Sequence, residues 1–234
     1  MSKNNLPTER SSSREVAAFL SKAARMPALS QVKGRLIFAI DATMSRQPTW
    51  DRAAEIQTEM FAVADGIGGL GVQLVYFRGF GEFEASEWAT SASALAKRMQ
   101  RVSCLSGSTQ LHRVLAHAVA EARRTKVGAL VYVGDCFEEN ADAVAKEAAQ
   151  LALLGVPAFM FHEGHDLSAE AVFREIARLT HGVYARFDAG SARQLRDLLT
   201  AAAVYATGGS LALKDYGNRV GGEVLRLSQG MGKK

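Results

Sequence analysis

From residue 35 onward, short apolar runs alternate with stretches whose hydrophobic positions recur at helical spacing. RLIFAI, VQLVYF, GALVYV, VPAFMF and GVYARF each read as a strand, and Phe83 between Glu82 and Glu84 suggests a short edge strand. Between them, DRAAEIQTEMFAVADGIG and the segment around residues 92–101 read as helices. In LHRVLAHAVAEARR, Leu111, Val114, Leu115, Ala118 and Val119 form one apolar face. Further helices are expected near 140–154 and 168–180, and a last one through SARQLRDLLTAAAVYA. This alternation predicts an α/β fold: a doubly wound, Rossmann-like, mostly parallel six-stranded sheet with helices on both faces. In such a sheet ligands sit at the carboxyl ends of the strands.

The ends of the chain differ from this body. Ser12 and Glu15 form a capping box, and SREVAAFLSKAARM follows with Val16, Phe19, Leu20 and Ala23 on one face. Residues 1–33 are therefore read as an extension whose short amphipathic helix docks on the main body, a domain spanning 34–205. The many glycines after Gly208 give residues 206–234 the character of a partly ordered tail.

Composition changes the picture little. A chain of 234 residues, 48% hydrophobic and 22% charged, has ample material for a core. It holds no apolar run long enough for a membrane span and no secretory-type start. With only Cys104 and Cys136, it suits a reducing cytoplasm. The net charge of +4 is uneven: residues 1–35 and 209–234 together carry about +8, leaving the middle at about −4. Basic arms of this kind leave open an association with nucleic acid.

The candidate chemistry begins in GRLIFAIDATMSRQ, where the first strand ends in Asp41 and hydroxyls follow at Thr43 and Ser45. Two further segments fall at the same edge of the expected sheet: SGSTQL, where Thr109 opens a helix, and YVGDCFEEN, where Asp135 leaves a strand. All five donors are oxygen, which suits magnesium, with manganese or calcium as alternatives, better than zinc or copper.

This arrangement resembles the von Willebrand factor type A domain and its metal-ion-dependent adhesion site, a DxSxS pattern followed by a distant Thr and a distant Asp. Asp41, Thr43 and Ser45 match the first part, with threonine in place of the first serine; Thr109 and Asp135 match the others. The resemblance covers roughly residues 34–205. It implies that Thr43 and Ser45 ligate directly, that Asp41 and Asp135 act directly or through water, and that Thr109 depends on the ligand state. It also implies a non-enzymatic module in which the ion bridges to an acidic residue of a protein partner. An AAA+ ATPase of the MoxR type or a chaperone system is the implied class of machine. The alternative is a nucleic-acid-associated protein using its basic arms.

Other residues have plainer readings. Cys104 and Cys136 are expected to be free, and His162 and His165 to be solvated loop residues. His112 and His117 are expected at the surface. Glu138 and Glu139 read as a solvated helix start, and Trp50 either packs in the core or rims the site. No G-x-S-x-G elbow, phosphate loop or dinucleotide fingerprint follows a strand, and no general base can be named.

Overall fold

The computed structural model describes residues 34–187 and 192–231. The apolar runs form six strands: β1 (Gly34–Asp41), β2 (Leu70–Arg78), β3 (Glu82–Ala89), β4 (Ala129–Gly134), β5 (Ala158–Glu163) and β6 (Val183–Phe187). They lie in one sheet in the order β3-β2-β1-β4-β5-β6. Every neighbouring pair is parallel except β2 and β3, which run antiparallel at one edge. The fold class read from the sequence is the one observed.

Among the described residues seven α-helices accompany the strands: α1 (Gln47–Asp65), α2 (Ala92–Met99), α3 (Leu111–Arg124), α4 (Ala141–Leu153), α5 (Leu167–Leu179), α6 (Ala192–Val220) and α7 (Gly222–Met231). Alternate residues of each strand point to opposite faces, so the sheet has two cores. Leu36, Phe38 and Ile40 of β1 pack with Trp50 and Met60 of α1, Leu95 of α2, and Leu198 and Leu199 of α6. Ile37 and Ala39 face the other way, toward Leu115 of α3, Val144 of α4 and Phe173 of α5. The central strands are buried on both faces, hence their unbroken apolar sequences.

β1 and β4 are neighbours in the sheet, with Ile40 opposite Val133, yet the next helix after each covers a different face. The strand order reverses between them, so their carboxyl ends open into a crevice rather than under a helix. Asp41 and Asp135 lie at that crevice.

Residues 206–231 correct the expectation of a partly ordered tail. Helix α6 continues past residue 205, breaks at Gly209 (φ 70°, ψ −165°) and resumes to Val220. Gly221 and Gly222 then take positive φ and turn the chain into α7. The glycines serve as breaks between helical pieces, and at Gly217 as a close contact: a Cβ there would lie 3.2 Å from the Leu225 Cα. Leu213, Val224 and Leu227 are buried in the same core as α1. The helix expected within residues 12–26 lies outside the described residues.

Candidate metal centre

β1 carries its ladder one residue beyond Asp41, where the Ala42 amide donates to the Phe77 carbonyl at 3.0 Å. Thr43 remains extended, and Met44–Arg46 then close a 3-10 turn leading into α1, whose first turn accommodates Pro48. The turn folds the three oxygen-bearing residues toward one another. The Thr43 amide donates to Asp41 Oδ1 at 2.7 Å. Thr43 Oγ1 and Ser45 Oγ lie 3.4 Å apart. The Ser45 hydroxyl donates to Asp135 Oδ2 at 3.0 Å, joining segments ninety residues apart.

Asp41 is fully buried, and burial pushes its carboxyl up to about 6 against the pull of the Thr43 hydrogen bonds. Its Oδ2 and Asp135 Oδ1 are buried without a hydrogen-bond partner among the described residues. A ligand atom from each of Asp41, Asp135 and Cys136 falls within a 4.8 Å group. Two carboxylates brought this close, each with a partnerless oxygen, are costly unless a cation satisfies them.

Thr109 takes a different position in this network. It is buried on the loop before α3, and its Oγ1 accepts the Glu138 amide at 3.1 Å. It is therefore tied to the Asp135 loop, but its hydrogen bonds are to Glu138 and not to Asp41, Thr43, Ser45 or Asp135. The loop carrying Thr109 is seated from two sides. The Leu105 amide donates to the Ala42 carbonyl at 3.0 Å. Gly107 approaches Gly79 so closely that an added Cβ would lie 2.1 Å from the Gly79 oxygen.

Several residues around the site differ from their sequence readings. Glu139 does not start its own helix: its carboxylate accepts the Leu111 and His112 amides at 2.5 and 3.0 Å, capping α3 across the crevice. His162 is fully buried in β5, with Nε2 3.2 Å from the Asp135 carbonyl and Nδ1 2.9 Å from the Tyr184 hydroxyl. A carbonyl can only accept, so Nε2 bears the proton and Nδ1 takes the tyrosine hydrogen bond. Burial holds the imidazole pKa below its ordinary value, consistent with this neutral form. His165 is exposed, as expected. His112 is half-buried, and so is His117, whose Nε2 lies 2.9 Å from Gln73 Oε1.

Trp50 resolves to the core. It is 2% exposed, donates its indole hydrogen to the Met99 carbonyl at 3.2 Å and meets Tyr76 edge-on. Both cysteines are free, and burial pushes the Cys104 thiol up to about 11 and the Cys136 thiol to about 12. Such thiols are poor nucleophiles and poor redox sensors.

The sequence reading missed Arg46 and Glu163. Arg46 follows Ser45 directly, yet its side chain turns inward and is 2% exposed. One arm pairs with Glu163 at the end of β5, which also accepts the Thr49 hydroxyl, and Nη1 lies 3.5 Å from Asp135 Oδ2. An arginine in a strand-end turn reads as a solvated charge; only the fold brings Glu163 to it.

No family model matches the sequence, and neither does any curated protein. Solved structures do match. A von Willebrand factor type A protein from Catenulispora acidiphila superposes with a TM-score of 0.56 at 17% identity, covering 74% of this chain and 43% of that one. An aerotolerance-related membrane protein from Bacteroides fragilis, carrying multiple mutations to serine, gives 0.53 at 17% identity over 71% of this chain and 98% of that one. Proximal thread matrix protein 1 of the mussel byssus, with a zinc-occupied metal-ion-dependent adhesion site, gives 0.56 at 15% identity over 74% and 46%. The chain thus spans less than half the length of the first and third. At these identities the likeness is one of architecture: the chain has the fold of the von Willebrand factor type A domain.

Proposed function

We propose that the crevice between β1 and β4 binds a divalent cation and that the ion grips an acidic side chain of a protein partner. The observation that carries this reading is the pair of buried, partnerless oxygens, Asp41 Oδ2 and Asp135 Oδ1, on adjacent strand ends. Ser45 lies within hydrogen-bond reach of both Thr43 and Asp135, and Thr109, held by the Glu138 amide on the neighbouring loop, is the remaining oxygen of the proposed set. This donor set suits magnesium, with manganese or calcium as substitutes. Cys136 belongs to the same cluster, but its soft sulfur is a poor ligand for a hard cation. The zinc-occupied site of the mussel protein supports a divalent ion as the class of ligand.

A cation held by these oxygens would supply a Lewis-acidic positive charge able to attract a partner carboxylate. The chain's own contribution is to hold the oxygens and to exclude competing donors. Ser45 is exposed at the crevice mouth, and three apolar side chains on adjoining loops stand open to solvent: Met44, Leu105 and, on the β2–β3 hairpin, Phe80. Exposed apolar groups beside a polar centre mark a protein-binding rim more readily than a substrate pocket. The reading is therefore of an interaction module without catalysis, working in the cytoplasm as an accessory to a AAA+ ATPase or chaperone machine. No helix among the described residues is long and apolar enough to cross a membrane.

The test is affinity capture of partners by the full chain with magnesium, repeated with chelator and with Asp41→Ala. Partners that are retained with magnesium and lost under both other conditions support the reading. Capture indifferent to both contradicts it.

A further inference from the structure

Arg46 is out of place in a cation site. A guanidinium does not lose its proton at any accessible pH, and burying it is costly unless it is paired. Here it is 2% exposed in the turn that begins with Met44, directly after Ser45. Its two terminal nitrogens are divided between two carboxylates. Nη2 is paired with Glu163, itself buried and further held by the Thr49 hydroxyl, while Nη1 stands 3.5 Å from Asp135 Oδ2. That same Oδ2 receives the Ser45 hydroxyl, whereas Asp135 Oδ1 is left without a partner.

The geometry points to a resident positive charge: Arg46, locked by Glu163, offsets the Asp41–Asp135 pair and lowers the site's affinity for divalent cations. This rests on the divalent-cation reading given above. Glu163 does not cancel the effect, because the guanidinium lies between it and Asp135, so the positive end of the ion pair is the one facing the site. At the effective dielectric of a protein interior the nearer Arg46 charge outweighs the more distant Glu163 charge, and the pair together opposes binding of a divalent ion by about tenfold. Arg46 thereby keeps the two aspartates tolerable side by side before a cation arrives and makes the ion readily exchangeable.

The sign of the effect separates this role from a merely structural one. If Arg46 only supported the fold, removing it would weaken cation binding; as a resident charge, its removal tightens binding. The experiment is a manganese titration of the full chain followed by the electron paramagnetic resonance signal of free Mn2+. It compares the wild type with Arg46→Lys, Arg46→Met and the double variant Arg46→Met with Glu163→Met. The double variant removes Glu163 together with the cation that pairs with it, so Glu163 is not left buried and unpaired, and this guards against a single substitution that fails to fold. The double variant is expected to bind Mn2+ about tenfold more tightly than the wild type. Arg46→Lys, which keeps the charge, is expected to remain within about threefold of the wild type. Adding Asp41→Ala is expected to abolish the gain. Equal or weaker binding by the double variant, with Asp41 still required, overturns the role of Arg46 and leaves the metal site standing. Failure of both wild type and double variant to bind Mn2+ overturns both.

Discussion

Asp41 carries an electrostatic cost to stability in one side chain. Its carboxyl is fully buried, its Oδ1 takes the Thr43 amide, and its Oδ2 has no partner among the described residues. Burial is the dominant cause of its raised pKa of about 6, and the nearby Asp135 charge adds to it. The sign follows from proton linkage. Between the ordinary value of 3.8 and about 6 the folded state holds the proton that the unfolded chain has released, so stability declines as pH rises through that window. Asp41→Asn keeps an oxygen for the Thr43 amide and offers an amide hydrogen toward Asp135. In chelator at pH 7 it is expected to raise unfolding stability by about 2 kcal/mol. Urea titrations from pH 4 to 7 check this; parallel profiles for variant and wild type would refute it. The same residues show what a local reading reaches. Asp41, Thr43 and Ser45 were legible because a strand followed by alternating oxygen donors is a pattern within five residues. Arg46 and Glu163 were not, because each is an ordinary charged residue until the sheet sets the end of β5 beside the turn after β1. His162 differs from its sequence reading for a related reason: the apolar run VPAFMF ends just before it, yet β5 extends through Glu163 and buries the ring.

The strands declared themselves through continuous apolar runs, and the helices through their stripes, because burial on two faces and on one face impose different periods. The elements after residue 205 did not, since glycine lowers helix propensity and carries no side chain to display a face. Gly209, Gly221 and Gly222 instead mark where helical pieces end, and the apolar positions between them, Leu213, Val224 and Leu227, find a place in the core. A docked α7 makes a quantitative demand. Leu227 is 3% exposed, so Leu227→Ala is expected to cost about 2–4 kcal/mol in chemical denaturation. A loss below about 0.5 kcal/mol, the usual range for a surface substitution, would mean that α7 does not pack as described.

For the whole molecule, topology decides where chemistry is possible. The strand order reverses between β1 and β4, so the loops after these strands diverge and leave their aspartates facing a common crevice. The loop before α3 closes one side, held by Gly107 against Gly79 and by Leu105 on Ala42, while His162 and Arg46 fix the Asp135 loop from beneath. Met44, Phe80 and Leu105 stand exposed on the adjoining loops. The most direct measurement is anomalous diffraction from crystals of the full chain soaked in Mn2+. A peak is expected in the β1–β4 crevice, within coordination distance of Ser45 Oγ and of the Asp135 carboxylate, and absent in Asp41→Ala crystals. A saturating soak that leaves this crevice empty, or a peak there that survives loss of Asp41, would contradict the divalent-cation reading.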